Sequence, residues 1–365
     1  MILSFYIARK FLGMFTLVFG VFLGILMLIE VIDQLRRHAG AGISMGKAVY
    51  LSALSVPESL YQILPLVMIL SAIALFLALA RSSELVVVRA AGRSGLRFLM
   101  APVATALILG ALAVAVLNPL VAATSKEYDA LSAAMDQGDG SILSISAEGL
   151  WLRQGDASGQ SVIQAARANA DGTVLYDVPF LTFVNGGPPT QRITAETARL
   201  EPGFWVLDRA KRWDLAGDNP ERDAVTVAEP LQLPTDMTQD RLRDSFGTPS
   251  AVAFWNLPAY IRGLEKAGFS ARSYQVWFQM EMATPLLLSA MVLIAAGFTM
   301  RHARFGKTGS MVLLALMGGF LIFFLRNFAQ VLGENGQIPV LVAAWSPPLG
   351  AVLMALGLLL HLEDG

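Results

Sequence analysis

A short charged run between two long apolar segments holds side chains suited to binding a partner. From Arg81 to Arg97 the sequence is RSSELVVVRAAGRSGLR, in which one acid, Glu84, stands among four arginines. The serines before Glu84 can cap a helix, and a carboxylate in the first turn suits the helix dipole. Gly92 is a common C-terminal stop signal. The spacing therefore predicts a helix of about two turns between the membrane segments.

This short helix would present an apolar patch and one carboxylate. Leu85 and Val88, three residues apart, fall on one face. Glu84 and Arg89 are five residues apart, so they do not form the favoured i,i+4 pair, and the acid is left for another partner. Two interpretations stay open: a tight turn flanked by arginines, or a helix over 81–92 that docks on a soluble protein.

A second charged cluster follows the first apolar segment without a break. It consists of Glu30, Asp33, Arg36 and Arg37. Arginine suits phosphate because its planar fork can donate two hydrogen bonds at once. If the helix continues this far, we expect the two arginines to meet an anionic lipid or sugar phosphate, with the two acids tuning them. The alternative is flanking charge that extends to the membrane interface.

The sequence lacks the patterns of an enzyme. Gly306-Lys307-Thr308 is similar to the end of a phosphate-binding loop, but Arg301 stands where that pattern requires its first glycine. No H-E-x-x-H motif is present, the three histidines are scattered, and cysteine is absent. We therefore predict no catalytic residue, no metal site and no nucleotide site in this chain, so that any ATP use belongs to a partner.

The composition is that of a polytopic membrane protein. Of 365 residues, 55% are hydrophobic and 15% charged, and the net charge of −1 argues against a nucleic-acid binder. In the first apolar segment, Gly20 and Gly24 form a G-x-x-x-G pattern that would allow close packing of a second subunit, although glycine is common in membrane helices. We expect an interruption of the third segment near Asn118-Pro119. The predicted spans are 11–29, 59–80, 98–125, 282–300, 308–325 and 339–360.

The basic residues of the short loops predict the orientation. If six spans alternate, nine lysines and arginines fall on one side of the membrane, which is then cytoplasmic. Both termini would lie on that side, and the polar region between the third and fourth spans would lie outside. The nine residues are Arg9, Lys10, Arg81, Arg89, Arg93, Arg97, Arg301, Arg304 and Lys307.

The polar region between the two membrane blocks is predicted to be an all-β domain. Short runs with alternating apolar residues begin at Ser141, with turns at Asp171-Gly172 and Pro202-Gly203. Strands at this spacing favour a sandwich or jellyroll. The predicted fold is a membrane α-helical bundle of six transmembrane helices with an inserted extracytoplasmic jellyroll-like domain. Its parts are residues 1–125, 126–272 and 273–365.

Four segments resemble the lipopolysaccharide export permeases of the LptF/LptG family. They are VIDQLRR (Val31–Arg37), LSVPESLYQILPLVMIL (Leu54–Leu70), RSSELVVVRAAG (Arg81–Gly92) and Ala283-Thr284-Pro285-Leu286. The first and third look more like the LptG branch than the LptF branch. The resemblance also covers the order of three spans, a periplasmic β domain and three spans.

The resemblance implies a set of partners in the bacterial inner membrane. These are an LptF-like permease as heterodimer partner, an LptB-like ATPase dimer that binds ATP and magnesium, and a single-span LptC-like jellyroll protein. The cargo would be lipopolysaccharide, extracted from the membrane and passed to a bridge of jellyrolls. No cofactor is expected in this chain.

The resemblance also implies roles for particular residues. The coupling helix falls on Arg81 to Gly92, with Glu84 as its acid, and Arg36 and Arg37 would meet the lipid A phosphates. Glu30 stands where some family members carry a further basic residue, so this helix would either bind the phosphates less strongly or meet a differently charged lipid A. In the β domain, the guesses for a groove that accepts acyl chains are Leu150, Leu152, Phe180, Leu181 and Phe183.

Three alternatives stay open. Within transport, the chain could take the LptF position or carry another envelope glycolipid. A membrane receptor with an extracytoplasmic sensing domain would need a cytoplasmic output domain, which the sequence does not offer. A membrane-embedded enzyme would need clustered acids or histidines near a membrane face.

Overall fold

The structure, a computed structural model, describes residues 2–37, 43–82, 84, 95–135, 269–300 and 308–363. Between 142 and 266 it describes the strands and helices except for short segments, the longest of them 239–247. The chain divides into two compact units. The first contains residues 1–131, 250–255 and 272–365, and the second contains 132–249 and 256–271.

Among the described residues, six helices are long and apolar enough to cross a membrane, over 2–37, 64–81, 97–132, 272–299, 309–334 and 340–361. Each of the six predicted spans overlaps one of these helices, and most of the helices are longer than the predicted apolar segment. The helices of the first unit are α1 (Ile2–Arg37), α2 (Met45–Gln62), α3 (Leu64–Arg81), α4 (Gly95–Leu112), α5 (Asn118–Met135), α7 (Arg272–Thr299), α8 (Thr308–Glu334) and α9 (Val340–Glu363). In the second unit, α6 covers Leu257–Lys266.

The predicted second span, 59–80, is not one helix. Helix α2 ends at Gln62 and α3 begins at Leu64, with Ile63 between them at φ −90° and ψ 4°. Pro65 stands in the first turn of α3, where its missing N–H costs nothing. The proline thus starts a new helix.

The predicted interruption near Asn118-Pro119 takes the form of a π-helical turn. Ala113–Leu117 form this turn between α4 and α5, and the helix then continues to Met135. Pro119 has no N–H to donate to the Ala115 carbonyl four residues earlier. The indole Nε1 of Trp255 donates to that carbonyl instead, at 3.1 Å. The third span stays helical because a donor from elsewhere in the unit replaces the missing one.

Helix α7 is the centre of the first unit. It packs against α3, α4, α8 and α9, and most of its residues from Met280 onward are buried. Small residues allow the close crossings: a Cβ added at Gly110 would lie 2.5 Å from the Pro285 Cα, and one at Gly319 would lie 2.5 Å from the Ile69 Cδ1. Shape fit, rather than the hydrophobic effect, holds helices together in an apolar solvent.

The second unit contains one antiparallel sheet in the order β1-β2-β3-β5-β6-β7-β10, so the chain does hold the predicted β region between its membrane blocks. Strand β4 pairs with β5, and β8 joins β6 to β9. The strands are β1 (Ile142–Ser146), β2 (Gly149–Asp156), β3 (Gly159–Ala165), β4 (Arg167–Ala168), β5 (Val174–Phe183), β6 (Pro189–Glu201), β7 (Phe204–Asp208), β8 (Lys211–Asp214), β9 (Val225–Thr226) and β10 (Leu231–Pro234).

One face of this sheet is continuous and apolar. Leu152, Ile163, Phe180 and Ile193 are cross-strand neighbours in one row, and all four are buried. Trp205, fully buried, contacts the edge of the Phe180 ring. Among the groove guesses, two therefore belong to this face.

The remaining groove guesses and the predicted turns are placed as follows. Leu181 and Phe183 are half-buried, and the side chain of Leu150 lies outside the described residues. The turn at Pro202-Gly203 is confirmed, with Gly203 at φ +89°, a conformation that favours glycine. The turn predicted at Asp171-Gly172 lies outside the described residues.

The crossing at Gly110 predicts a specific sensitivity. Gly110→Ala pushes a methyl group into the backbone of α7, and overpacking of this kind costs roughly 1–3 kcal/mol. Gly20→Ala is the matched control, because a Cβ there meets nothing within 4 Å. We expect thermal unfolding in detergent to show a lower midpoint for Gly110→Ala and an unchanged or higher midpoint for Gly20→Ala. Equal midpoints for both variants would contradict the close crossing.

Candidate functional site

The end of α1 carries the predicted anion-binding cluster. The helix continues unbroken to Arg37, as the hypothesis requires. Arg36 is exposed, and Arg37, whose side chain is 61% exposed, forms an i,i+4 ion pair with Asp33 at 2.5 Å. Asp33 therefore neutralises one of the two cations in part. The other, Arg36, has no ion pair within the part of the chain that the structure describes.

Glu30 belongs to a different contact, which sequence reasoning missed. Gln34, fully buried, donates through Nε2 to Glu30 and to the hydroxyl of Tyr128, both at 2.8 Å. Tyr128 lies on α5, so this amide fixes the C-terminal part of α1 to another helix. A glutamine between charged residues gives no signal in the sequence that it will be buried. The structure thus assigns Glu30 to the fixing of α1.

The segment after α3 is described only in part. Arg81 is the last residue of α3 and is exposed. Ser82 caps this helix and donates to Glu84 Oε1 at 2.8 Å. The rest of the predicted coupling helix, including Leu85, Val88, Arg89 and Gly92, lies outside the described residues.

Glu84 has contacts that the sequence did not predict. Lys10 on α1 approaches its Oε1 to 2.8 Å, and the Tyr6 hydroxyl donates to the same oxygen at 3.4 Å. The hydrogen bond from Lys10 holds the pKa of Glu84 below its ordinary value, against the opposite effect of burial. Sequence spacing left this acid without a partner in the chain, and the structure supplies one from a helix 74 positions away.

A buried polar group lies within the first unit. Glu281 on α7 is fully buried and accepts a hydrogen bond from Tyr61 on α2. Its other oxygen has no hydrogen-bond partner in the described structure, and the charge of Arg326 on α8 attracts it. A carboxylate buried inside a helical bundle has few groups with which it can interact. Glu281 therefore joins α7 to α2 through Tyr61 and to α8 through the charge of Arg326.

An apolar cavity lies beside the π-helical turn. Its volume is about 340 Å³, and side chains of α1, α3, α4 and the turn line it, among them Phe15, Phe19, Met68, Leu109 and Val116. A cavity of this size and lining can hold an alkyl chain.

Gly20 and Gly24 face outward from α1. Both are exposed, and an added Cβ at either would meet nothing within 4 Å. They therefore do not serve packing inside this chain. Their predicted role in packing against a second subunit stays a prediction.

Known proteins match almost the whole chain. A family model described as "Lipopolysaccharide export system permease LptF/LptG" matches residues 5–361. The lipopolysaccharide export system permease protein LptG of Escherichia coli (strain K12) is 27% identical over 339 residues, which cover 92% of this chain and 91% of that protein. LptG of Haemophilus influenzae is 24% identical over 367 residues, with 98% of both chains covered.

The Tyr61–Glu281 contact predicts a cost for losing one hydroxyl. Tyr61→Phe leaves a fully buried carboxylate without its donor, which costs about 1–3 kcal/mol. Tyr50→Phe on the same helix is the control, since Tyr50 is 53% exposed. We expect thermal unfolding in detergent to show a lower midpoint for Tyr61→Phe alone. A midpoint equal to that of Tyr50→Phe would show that the contact contributes nothing.

Proposed function

The chain belongs to the LptF/LptG family of lipopolysaccharide export system permeases, and on that premise we propose that it is the LptG-type subunit of an ATP-driven exporter. The complex would extract lipopolysaccharide from the inner membrane and pass it to a periplasmic bridge. The observation that carries this proposal is the match over residues 5–361, which includes both the membrane helices and the β region. The printed names of the relatives favour the LptG position over the LptF position.

We propose that both termini are cytoplasmic and that residues 126–272 form a periplasmic domain. The bias of lysine and arginine in the short loops supports this orientation. The antiparallel sheet with one buried apolar face is compatible with a jellyroll. Such a domain can hold acyl chains on its apolar face and offer an edge strand to the next jellyroll.

The energy source is assigned to a partner. An LptB-like ATPase dimer, which binds ATP and magnesium, would dock on segment 81–92 from the cytoplasm. An LptF-like permease would pair with this chain in the membrane, with Gly20 and Gly24 available for close helix contact. An LptC-like protein would continue the periplasmic path. The exposed apolar faces of α1 and α8 support a partner in the membrane.

The lipid path follows from the chemistry of the cargo. The headgroup phosphates would meet Arg36 and Arg37 at the periplasmic end of α1. The acyl chains need apolar surfaces, and the exposed face of α1, with Val21, Ile25 and Leu28, supplies one directly below these arginines. Closure of the ATPase would then narrow the bundle and expel the lipid toward the β domain.

The first test concerns Glu84. In the co-expressed complex, Glu84→Gln removes the charge at the proposed ATPase contact, so we expect ATP-driven lipopolysaccharide release to fall by about tenfold, the worth of one charged hydrogen bond. Glu201→Gln, which removes an exposed acid in the β region, is the control. Release per mole of complex and the amount of co-purified ATPase are measured together. Full release by Glu84→Gln would contradict the ATPase contact and favour the interpretation of 81–92 as a turn between two spans.

Substitutions at Arg36 and at Asp33 are expected to change the affinity for lipopolysaccharide in opposite directions. Arg36→Ala removes the cation that has no ion pair in the described structure, and we expect binding of lipopolysaccharide to weaken by about tenfold. Asp33→Asn releases Arg37 from its ion pair, and we expect binding to tighten by about two- to fivefold. Photo-crosslinking or microscale thermophoresis with purified lipopolysaccharide checks both. Weaker binding by Asp33→Asn would mean that the acid itself contacts the lipid.

A further inference from the structure

The ion pair between Lys10 and Glu84 joins two parts of the chain with different roles. Glu84 follows α3 directly, whereas Lys10 lies near the start of α1. Lys10 is itself held in place, because its ammonium lies 5.5 Å from the centre of the Tyr6 ring and 3.4 Å from the Tyr6 hydroxyl. The hydrogen bonds that Glu84 accepts from the described residues all end on Oε1.

Few residues of helix α1 are fully buried, although Met14, Phe15 and Phe19 pack partly buried against the core of the first unit. Its buried residues are Ile7 and Phe11 near Lys10, and Gln34 near the other end. Between them the helix presents exposed apolar residues such as Leu17, Val21 and Ile25. No proline interrupts Ile2–Arg37, and at 1.5 Å per residue Lys10 and Arg36 are about 39 Å apart along one rod.

We propose that Lys10 is a positioning residue that ties the ATPase-facing acid Glu84 to α1, so that a displacement of segment 81–92 moves the helix that carries Arg36 and Arg37. This inference rests on the proposed function for the identity of the partner and of the lipid. Segment 81–92 then acts through two routes: directly through α3, and through Lys10 on α1. The second route links the nucleotide state to the lipid headgroup along a single helix.

The ion pair keeps partial contact with water, so we expect the protein to fold without it and its loss to be testable. The side chains are 24% and 31% exposed, and pairs of this kind contribute little to unfolding. Lys10→Met removes the charge and keeps the length of the side chain. Lys10→Arg restores the charge. Arg9→Met is the matched control, because Arg9 is an exposed cation of the same turn with no ion pair in the described part of the chain.

The experiment uses the complex with its co-expressed permease and ATPase partners, in vesicles of phosphatidylethanolamine and phosphatidylglycerol that contain lipopolysaccharide. We expect Lys10→Met to hydrolyse ATP at a rate close to wild type and to release about fivefold less lipopolysaccharide per ATP, the lower end of usual coupling effects. Lys10→Arg and Arg9→Met should release as much per ATP as wild type. Unchanged release by Lys10→Met would overturn the proposal. Loss of the ATPase from the Lys10→Met complex would also overturn it, because Lys10 would then serve assembly.

A second readout does not depend on transport. The chain has no cysteine, so a single spin label can be placed at Ile32→Cys, an exposed site near the outer end of α1, in a complex with cysteine-free partners. We expect ATP with vanadate to change the mobility of this label in wild type and not in Lys10→Met. An equal change in both would contradict the link. If the wild-type complex hydrolyses ATP without releasing lipopolysaccharide, the proposed function fails, and the label still decides whether Lys10 moves α1.

Discussion

The satisfaction of backbone hydrogen bonds in an apolar solvent is the constraint on which the membrane unit depends. In hydrocarbon no water replaces a missing donor, so each interrupted helix needs a partner group from the protein. Pro119 deprives the Ala115 carbonyl of its donor, and Trp255 replaces it. The residue before Trp255 contacts the same part of the third span, because the Phe254 amide donates to the Asn118 side chain at 2.8 Å. The chain returning toward the fourth span is thereby fixed beside the irregular part of the third.

Arg272 supplies hydrogen-bond donors to backbone carbonyls at another place in the membrane unit. It begins α7, and its guanidinium donates to the carbonyls of Gly333 at 2.6 Å and Ile338 at 2.7 Å, where α8 ends and the loop to α9 turns. The free carbonyls at a helix end need donors, and a planar guanidinium can reach two of them at once. A charged residue at the start of a span therefore closes the neighbouring hairpin. Together with the small residues that let α7 approach its neighbours, these contacts explain why that helix lies at the centre.

Much of the architecture was predictable from the sequence, because the apolar runs and the alternating strands are strong local signals. The six spans and the β region follow from composition and periodicity, and the turn at Pro202-Gly203 follows from its residue types. The π-helical turn was foreseeable only as an irregularity, since its form depends on Trp255, far away in sequence. The extension of α1 to Arg37 was part of the hypothesis for the arginine pair.

The contacts of the candidate sites were less predictable, because they join residues that are distant in sequence. Nothing in the sequence around Gln34 indicates that it is buried. Its burial depends on Tyr128, which is distant in sequence and accepts a hydrogen bond from its amide. Glu84 was identified as the important acid, but its partner Lys10 was counted only as a membrane-flanking cation. Flanking charges have two roles in a membrane protein: they fix orientation, and they pair across helices where two ends meet.

The position of helix α1 depends on contacts with residues that are distant in sequence. A helix with few fully buried residues gains less from packing, so specific contacts near its ends help to fix its position. At one end these are Ile7, Phe11 and the pair of Lys10 with Glu84, and at the other the amide of Gln34. Between these contacts Phe15 and Phe19 pack partly buried against the core of the unit, whereas Leu17, Val21 and Ile25 are exposed. Helix α7 differs, because packing against four other helices fixes it along its buried length.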